Sequence, residues 1–172
     1  MMFTRMMEIV SKRPILGAIA LGAATACVTS VVAMLAIYLF QHILPQRFWG
    51  QSAGADVFNQ PAVAVFFDAV IFFPLFETII GQVIPIEIVR RFGSNRGLWV
   101  FISALVFGGG HYLNGGPLHG LVAFSVGIVF ASLYVVLRRN GPGSSFVGVA
   151  TAHILHNAIL LYILATIFPS LA

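Results

Sequence analysis

Glu77 is the residue of this chain that most demands a chemical explanation. It stands inside Phe72-Phe73-Pro74-Leu75-Phe76-Glu77-Thr78-Ile79-Ile80, where an ionised carboxylate costs several kcal/mol unless it is paired or hydrated. A carboxylate so placed either faces a cavity and does chemistry or sits protonated as a packing hydrogen bond. His111 closes the run Phe107-Gly108-Gly109-Gly110-His111. Three consecutive glycines weaken a helix but let another backbone, of a helix or of a substrate, come close. His153, His156 and Asn157 lie at i, i+3 and i+4, one face of a helix. A His and an Asn one turn apart can together hold one metal or one oxyanion. His153 is the stronger candidate of the two histidines, with His156 supporting from behind.

Depth joins these residues. Glu77 precedes Arg90 by 13 residues, about 20 Å of helix. His111 follows Arg96 by 15 residues, about 22 Å if helical throughout. His153 and Asn157 lie 8 and 12 residues beyond Ser145, roughly 12 and 18 Å in. Three segments therefore bring a carboxylate, imidazoles and an amide to similar depth from one face. Elsewhere the polar residues read as bland. Glu87 is placed to pair with Arg90 and Arg91. Asp68 points away from Glu77 on an unbroken helix and is placed to meet Arg47 or His119. His42 and His119 fall at span ends, and Cys27, the only cysteine, reads as a small packing residue.

The elements that must position these groups follow from composition. Of 172 residues, 59% are hydrophobic and 8% charged, against about 25% charged in a soluble domain. Such a chain cannot cover a water-facing surface, so the expectation is one all-α integral membrane domain over residues 1–172, a polytopic bundle of about five spans. The spans read as Ile15–Phe40, Pro61–Val89, Leu98–Tyr112, Leu118–Leu137 and Ser145–Phe168. Pro74 and Pro85 predict a kinked second helix, and Asn114-Gly115-Gly116-Pro117 a turn. Residues 1–13 read as a short interfacial helix or frayed end, and His42–Gln60 as a polar connection. The apolar run after Arg13 is too long for a cleavable signal peptide.

Charge gives an orientation. Five crossings place Arg5, Lys12, Arg13, Arg90, Arg91, Arg96, Arg138 and Arg139 on one side and Arg47 on the other, which puts the N-terminus in the cytoplasm. The net charge of +4 is thus topological and does not point to nucleic acid. The expected setting is a bacterial inner or plasma membrane. Gly17, Gly22 and Ala26 offer a small-residue face for helix contact; oligomeric state is not legible.

In this order and spacing the motifs resemble the CPBP, or ABI, intramembrane proteases, which include the type II CAAX prenyl endopeptidases. That family carries a Glu-Glu-x-x-x-Arg helix, a Phe-x-x-x-His helix and a His-x-x-x-Asn/Asp helix. Phe107 to His111 matches the second and His153 to Asn157 the third, so the motif-bearing core spans about 70–160. In the first motif Glu77 is kept, while Thr78 and Gln82 replace the second Glu and the Arg. A neutral pair thus stands where an ion pair would, and neither charge is stranded.

The resemblance implies an intramembrane endopeptidase acting on a peptide or membrane-protein substrate in the lipid bilayer. Glu77 with His111 would deprotonate a water, and His153 and Asn157 would donate to the oxyanion. Thr78, Gln82 and His156 would support them. A cofactor is either absent or one divalent metal such as zinc, for which Glu77, His111 and His153 would be the ligands; no His-Glu-x-x-His helix is present. Two other readings stand beside this one: a non-catalytic scaffold or immunity-type protein of the same fold, and a small transporter or proton relay. The transporter needs polar residues that spans one and four lack.

Overall fold

The structure, a computed structural model, describes residues 12–50, 61–93 and 95–164. The interfacial reading of residues 1–11, the connection 51–60 with Asp56, and the end of the last span at Phe168 lie outside them. Among the described residues the chain is helical and four helices are long and apolar enough to cross a membrane. These are α1 (Pro14–Ile43), α2 (Ala62–Val89), α3 (Arg96–Leu137) and α4 (Pro142–Ala158), which continues as a π-helix over Ile159–Leu164.

Helix α3 is two rods. Gly116 breaks it with φ 79° and ψ −172°, a backbone state that only glycine adopts cheaply, and the two arms fold back antiparallel. Gly108 of the first arm lies against Phe124 and the Gly120 carbonyl of the second, while Gly127 lies against Ala104. A side chain at 108 would push the arms apart. With both arms counted, the described residues form five rods, the number of spans that the sequence predicts.

The rods pack through small residues. Ala18, Gly22 and Ala26 of α1 are buried, and Gly22 meets Gly148 and Thr151 of α4. The small-residue face of α1 is therefore consumed inside the molecule. Cys27 lies on the outer side of α1 and is exposed, not the packing residue the apolar run suggests. Aromatic bulk fills the centre: Phe107, Phe130 and Tyr134 are buried with Ile86, Leu137 and Val149.

Helix α2 changes pitch around its prolines. It widens to a π-helix over Phe66–Phe72, before Pro74, and again over Ile79–Val83, before Pro85. Proline brings no N–H and its ring crowds the preceding turn, so the turn opens and leaves carbonyls unclaimed. Other helices claim them. Asn157 donates to the Ala69 carbonyl at 2.8 Å, and Ser103 donates to the Gly81 carbonyl at 2.7 Å. The prolines thus create acceptors that α4 and α3 use to grip α2.

The cations gather at one end. Arg90, Arg96, Arg138 and Arg139 line one cleft, and Ser144 donates to the Pro14 carbonyl at 2.9 Å, bringing Arg13 to the same end. Arg47 follows α1 at the other end, where Gly50 abuts Gly115 at the α3 turn. Glu87 pairs with Arg90 at 2.7 Å as expected, but its second cation is Arg138 and not Arg91. Asp68 is exposed and makes no ion pair with Arg47 or His119 among the described residues.

Candidate active site

Each element presents its polar residue for a local reason. Glu77 sits in the short α-helical stretch Phe73–Thr78 between the two π-helical turns of α2. That pitch change turns Glu77 and Thr78 inward together. His111 is fixed by its own helix: its Nδ1 lies 2.9 Å from the Phe107 carbonyl one turn back. A carbonyl only accepts, so Nδ1 carries the hydrogen, and in the neutral ring Nε2 is left with its lone pair. His153 is held edge-on against Phe107 and tilted against Phe130, with ring centroids 5.4 and 5.0 Å away.

The three meet at one carboxylate oxygen. Glu77 Oε2 lies 3.7 Å from His111 Nε2 and 3.5 Å from His153 Nε2. Both imidazoles aim the same nitrogen at it. These separations exceed a direct hydrogen bond and leave the oxygen free for a third partner. Exposure is graded across the trio: the side chain of Glu77 is 32% exposed, that of His111 21% and that of His153 3%. The site therefore opens on the Glu77 side and is closed behind His153. Gly109 and Gly110 face open space beside His111, so the room that the glycine run promises exists there, while Gly108 packs inside the hairpin.

The supporting residues divide. Thr78 is fully buried, and its hydroxyl lies 3.3 Å from His153 Nδ1, the nitrogen facing away from Glu77. Gln82 is fully buried one turn further on, beside Ser103 at 2.5 Å. Ser103 has a single proton and also faces the Gly81 carbonyl. One polar end of the Gln82 amide is left without a partner among the described residues. Gln82 thus braces α2 against α3 and does not touch the trio. His156 turns away as well: its Nδ1 lies 3.3 Å from the Ser30 hydroxyl of α1. Phe130 lies between the rings of His153 and His156. Asn157 spends one amide N–H on Ala69, which fixes α2 two turns before Glu77.

Sequence reasoning missed His119. It reads as interfacial from its place at a span start, yet its ring stacks on His111 with centroids 5.1 Å apart and planes 14° from parallel. The turn at Gly116 makes this contact, since it brings position 119 back over position 111. Gly115 lies beneath the His119 ring. The motif Asn114-Gly115-Gly116-Pro117 was the available signal, because a tight reversal must juxtapose residues flanking it.

A catalytic zinc needs three protein ligands at about 2.0–2.2 Å. Among the described residues no three His, Cys, Asp or Glu side chains are arranged to hold a metal ion. What the trio offers is acid–base and hydrogen-bonding chemistry at a shared oxygen, walled by Phe107 and Phe130 on the His153 side.

Comparison with known proteins follows the same residues. The family model described as "Type II CAAX prenyl endopeptidase Rce1-like" matches residues 59–159, more than half of the chain, and spans Glu77, His111, His153 and Asn157. No curated protein and no solved structure matches.

Proposed function

Because this chain belongs to the Rce1-like family of type II CAAX prenyl endopeptidases, we propose that it is an intramembrane endopeptidase whose attacking water is activated by Glu77 and His111. The observation that carries the proposal is the single carboxylate oxygen faced by two imidazole Nε2 atoms. His111 Nε2 holds a lone pair because Nδ1 donates to Phe107. A water beside it finds two acceptors, Glu77 Oε2 and His111 Nε2. Both its protons are thereby directed inward and an oxygen lone pair outward, toward a peptide carbonyl. Glu77 takes the proton as the bond forms, the work of a general base.

His153 does the opposite work. With Nδ1 accepting from the Thr78 hydroxyl 3.3 Å away, the proposed tautomer of His153 has its N–H at Nε2 and points a donor at the same centre. A fixed donor there stabilises the oxyanion by ~3 kcal/mol. The tetrahedral intermediate then collapses with Glu77 returning its proton to the leaving amine. Asn157 holds the Ala69 segment in place with one N–H, and its second N–H is the other oxyanion donor that the motif implies. The substrate is a peptide or membrane protein, entering on the exposed Glu77 side beside Gly109 and Gly110. Every step is assigned to these side chains alone.

The cation-rich end faces the cytoplasm in this account. A scaffold of the same fold is the second reading, favoured by the neutral Thr78 and the half-satisfied Gln82. Cleavage of a membrane-embedded peptide by purified protein separates the two. The peptidase reading expects turnover by the wild type and none by Glu77→Gln at equal folded yield. Equal turnover by both proteins would end it.

A further inference from the structure

We propose that the cleft between the end of α2 and the two arms of α3 binds the phosphate of an anionic phospholipid from the surrounding leaflet. The cleft measures about 420 Å³ and is lined by Arg90, Arg96, Arg138 and Arg139 with Trp99, Val135 and Val136. It lies at the Arg90 end of α2, 13 residues from Glu77, about 20 Å of helix.

The four cations are not equivalent. Glu87 accepts from Arg90 Nε at 2.7 Å and from Arg138 Nη2 at 3.1 Å, and Tyr134 donates to it at 3.1 Å. One carboxylate thus fixes two guanidiniums and leaves part of each donor fork free. Arg96 and Arg139 are exposed and have no acidic partner among the described residues. Four positive groups around one cleft against one carboxylate leave a surplus of positive charge that attracts an anion. Guanidinium forks match phosphate in charge and geometry.

Position and wall chemistry select a lipid over a free phosphate. Arg90 directly follows the α2 span and Arg96 opens the next, so the ring of cations stands at headgroup level. Val135, Val136 and the Trp99 indole supply an apolar side, and Val136 is 45% exposed. A free phosphate has no use for that side, whereas the glycerol and first acyl carbons of a lipid do. Basic pockets between membrane helices are suited to such headgroups.

Native mass spectrometry of the full chain in phosphatidylcholine-doped micelles, titrated with phosphatidylglycerol, tests this. The wild type should retain one phosphatidylglycerol in preference to phosphatidylcholine. The double variant Arg96→Gln/Arg139→Gln, which strands no carboxylate, should bind it about tenfold more weakly. Arg47→Gln, at the other end, should bind as the wild type does. Equal retention of the two lipids by the wild type, which needs no variant to fold, would overturn the proposal. So would a double variant with wild-type affinity. Full displacement by excess inorganic phosphate would also overturn it, showing a free-phosphate site.

Discussion

At the scale of single residues, the proposed function gives opposite tasks to two imidazoles. His111 is kept as an acceptor at Nε2 by the Phe107 carbonyl, and the proposed tautomer of His153, with Nδ1 accepting from the Thr78 hydroxyl 3.3 Å away, makes it a donor. The second task depends on a hydroxyl alone. Thr78→Ser should therefore retain activity within a few-fold, while Thr78→Val, of the same shape, should lower kcat by about 10- to 100-fold with KM little changed, the signature of a lost transition-state contact. Steady-state kinetics on both variants checks this, and equal kcat for the two would remove Thr78 from the mechanism. A second expectation is that exhaustive chelation leaves kcat/KM unchanged. Loss of activity on chelation, restored by zinc, would show that Glu77, His111 and His153 close around an ion in the working enzyme.

At the scale of elements, the site depends on α2 changing pitch twice. Each π-helical turn inserts an extra residue per turn, which rotates everything beyond it. That is why the sequence could place Glu77, His111 and His153 at one depth but could not say which way α2 faced. It also explains the residues that escaped reading. Asp68 and Glu77 have no fixed angle across a widened turn, and Asn157 finds an acceptor at Ala69 that only Pro74 leaves open. The rods, the kinked second helix and the three motifs were legible because hydropathy, proline and glycine act locally. His119 and Cys27 were not, because rotation and reversal are set by neighbours. Two outcomes follow. Ser103→Ala strands the Gly81 carbonyl and the Gln82 amide together and should cost about 1–3 kcal/mol, read as a lowered unfolding midpoint in detergent. Gly108→Leu should do worse, because a side chain there meets the Gly120 carbonyl. The expected readout is loss of folded, monodisperse protein, and a normal yield would contradict the hairpin.

At the scale of the whole molecule, one end is cationic and the reactive trio sits between the two ends. Arg90, Arg96, Arg138 and Arg139 define the first, and the Gly50–Gly115 contact marks the far end beside Arg47. Single cysteines placed at 139 and at 47, in a Cys27→Ala background, should label from opposite sides of the membrane, with 139 reached from the cytoplasm. The reverse pattern would invert the topology without touching the chemistry. The proposed chemistry rests on Glu77 and His111 acting on one water as a unit. The direct measurement is kcat/KM for wild type, Glu77→Gln, His111→Ala and the double variant. The account predicts strong non-additivity: the double variant is no slower than Glu77→Gln alone. Losses that multiply independently would show that the two side chains do not share a water, and the mechanism built on them would fall.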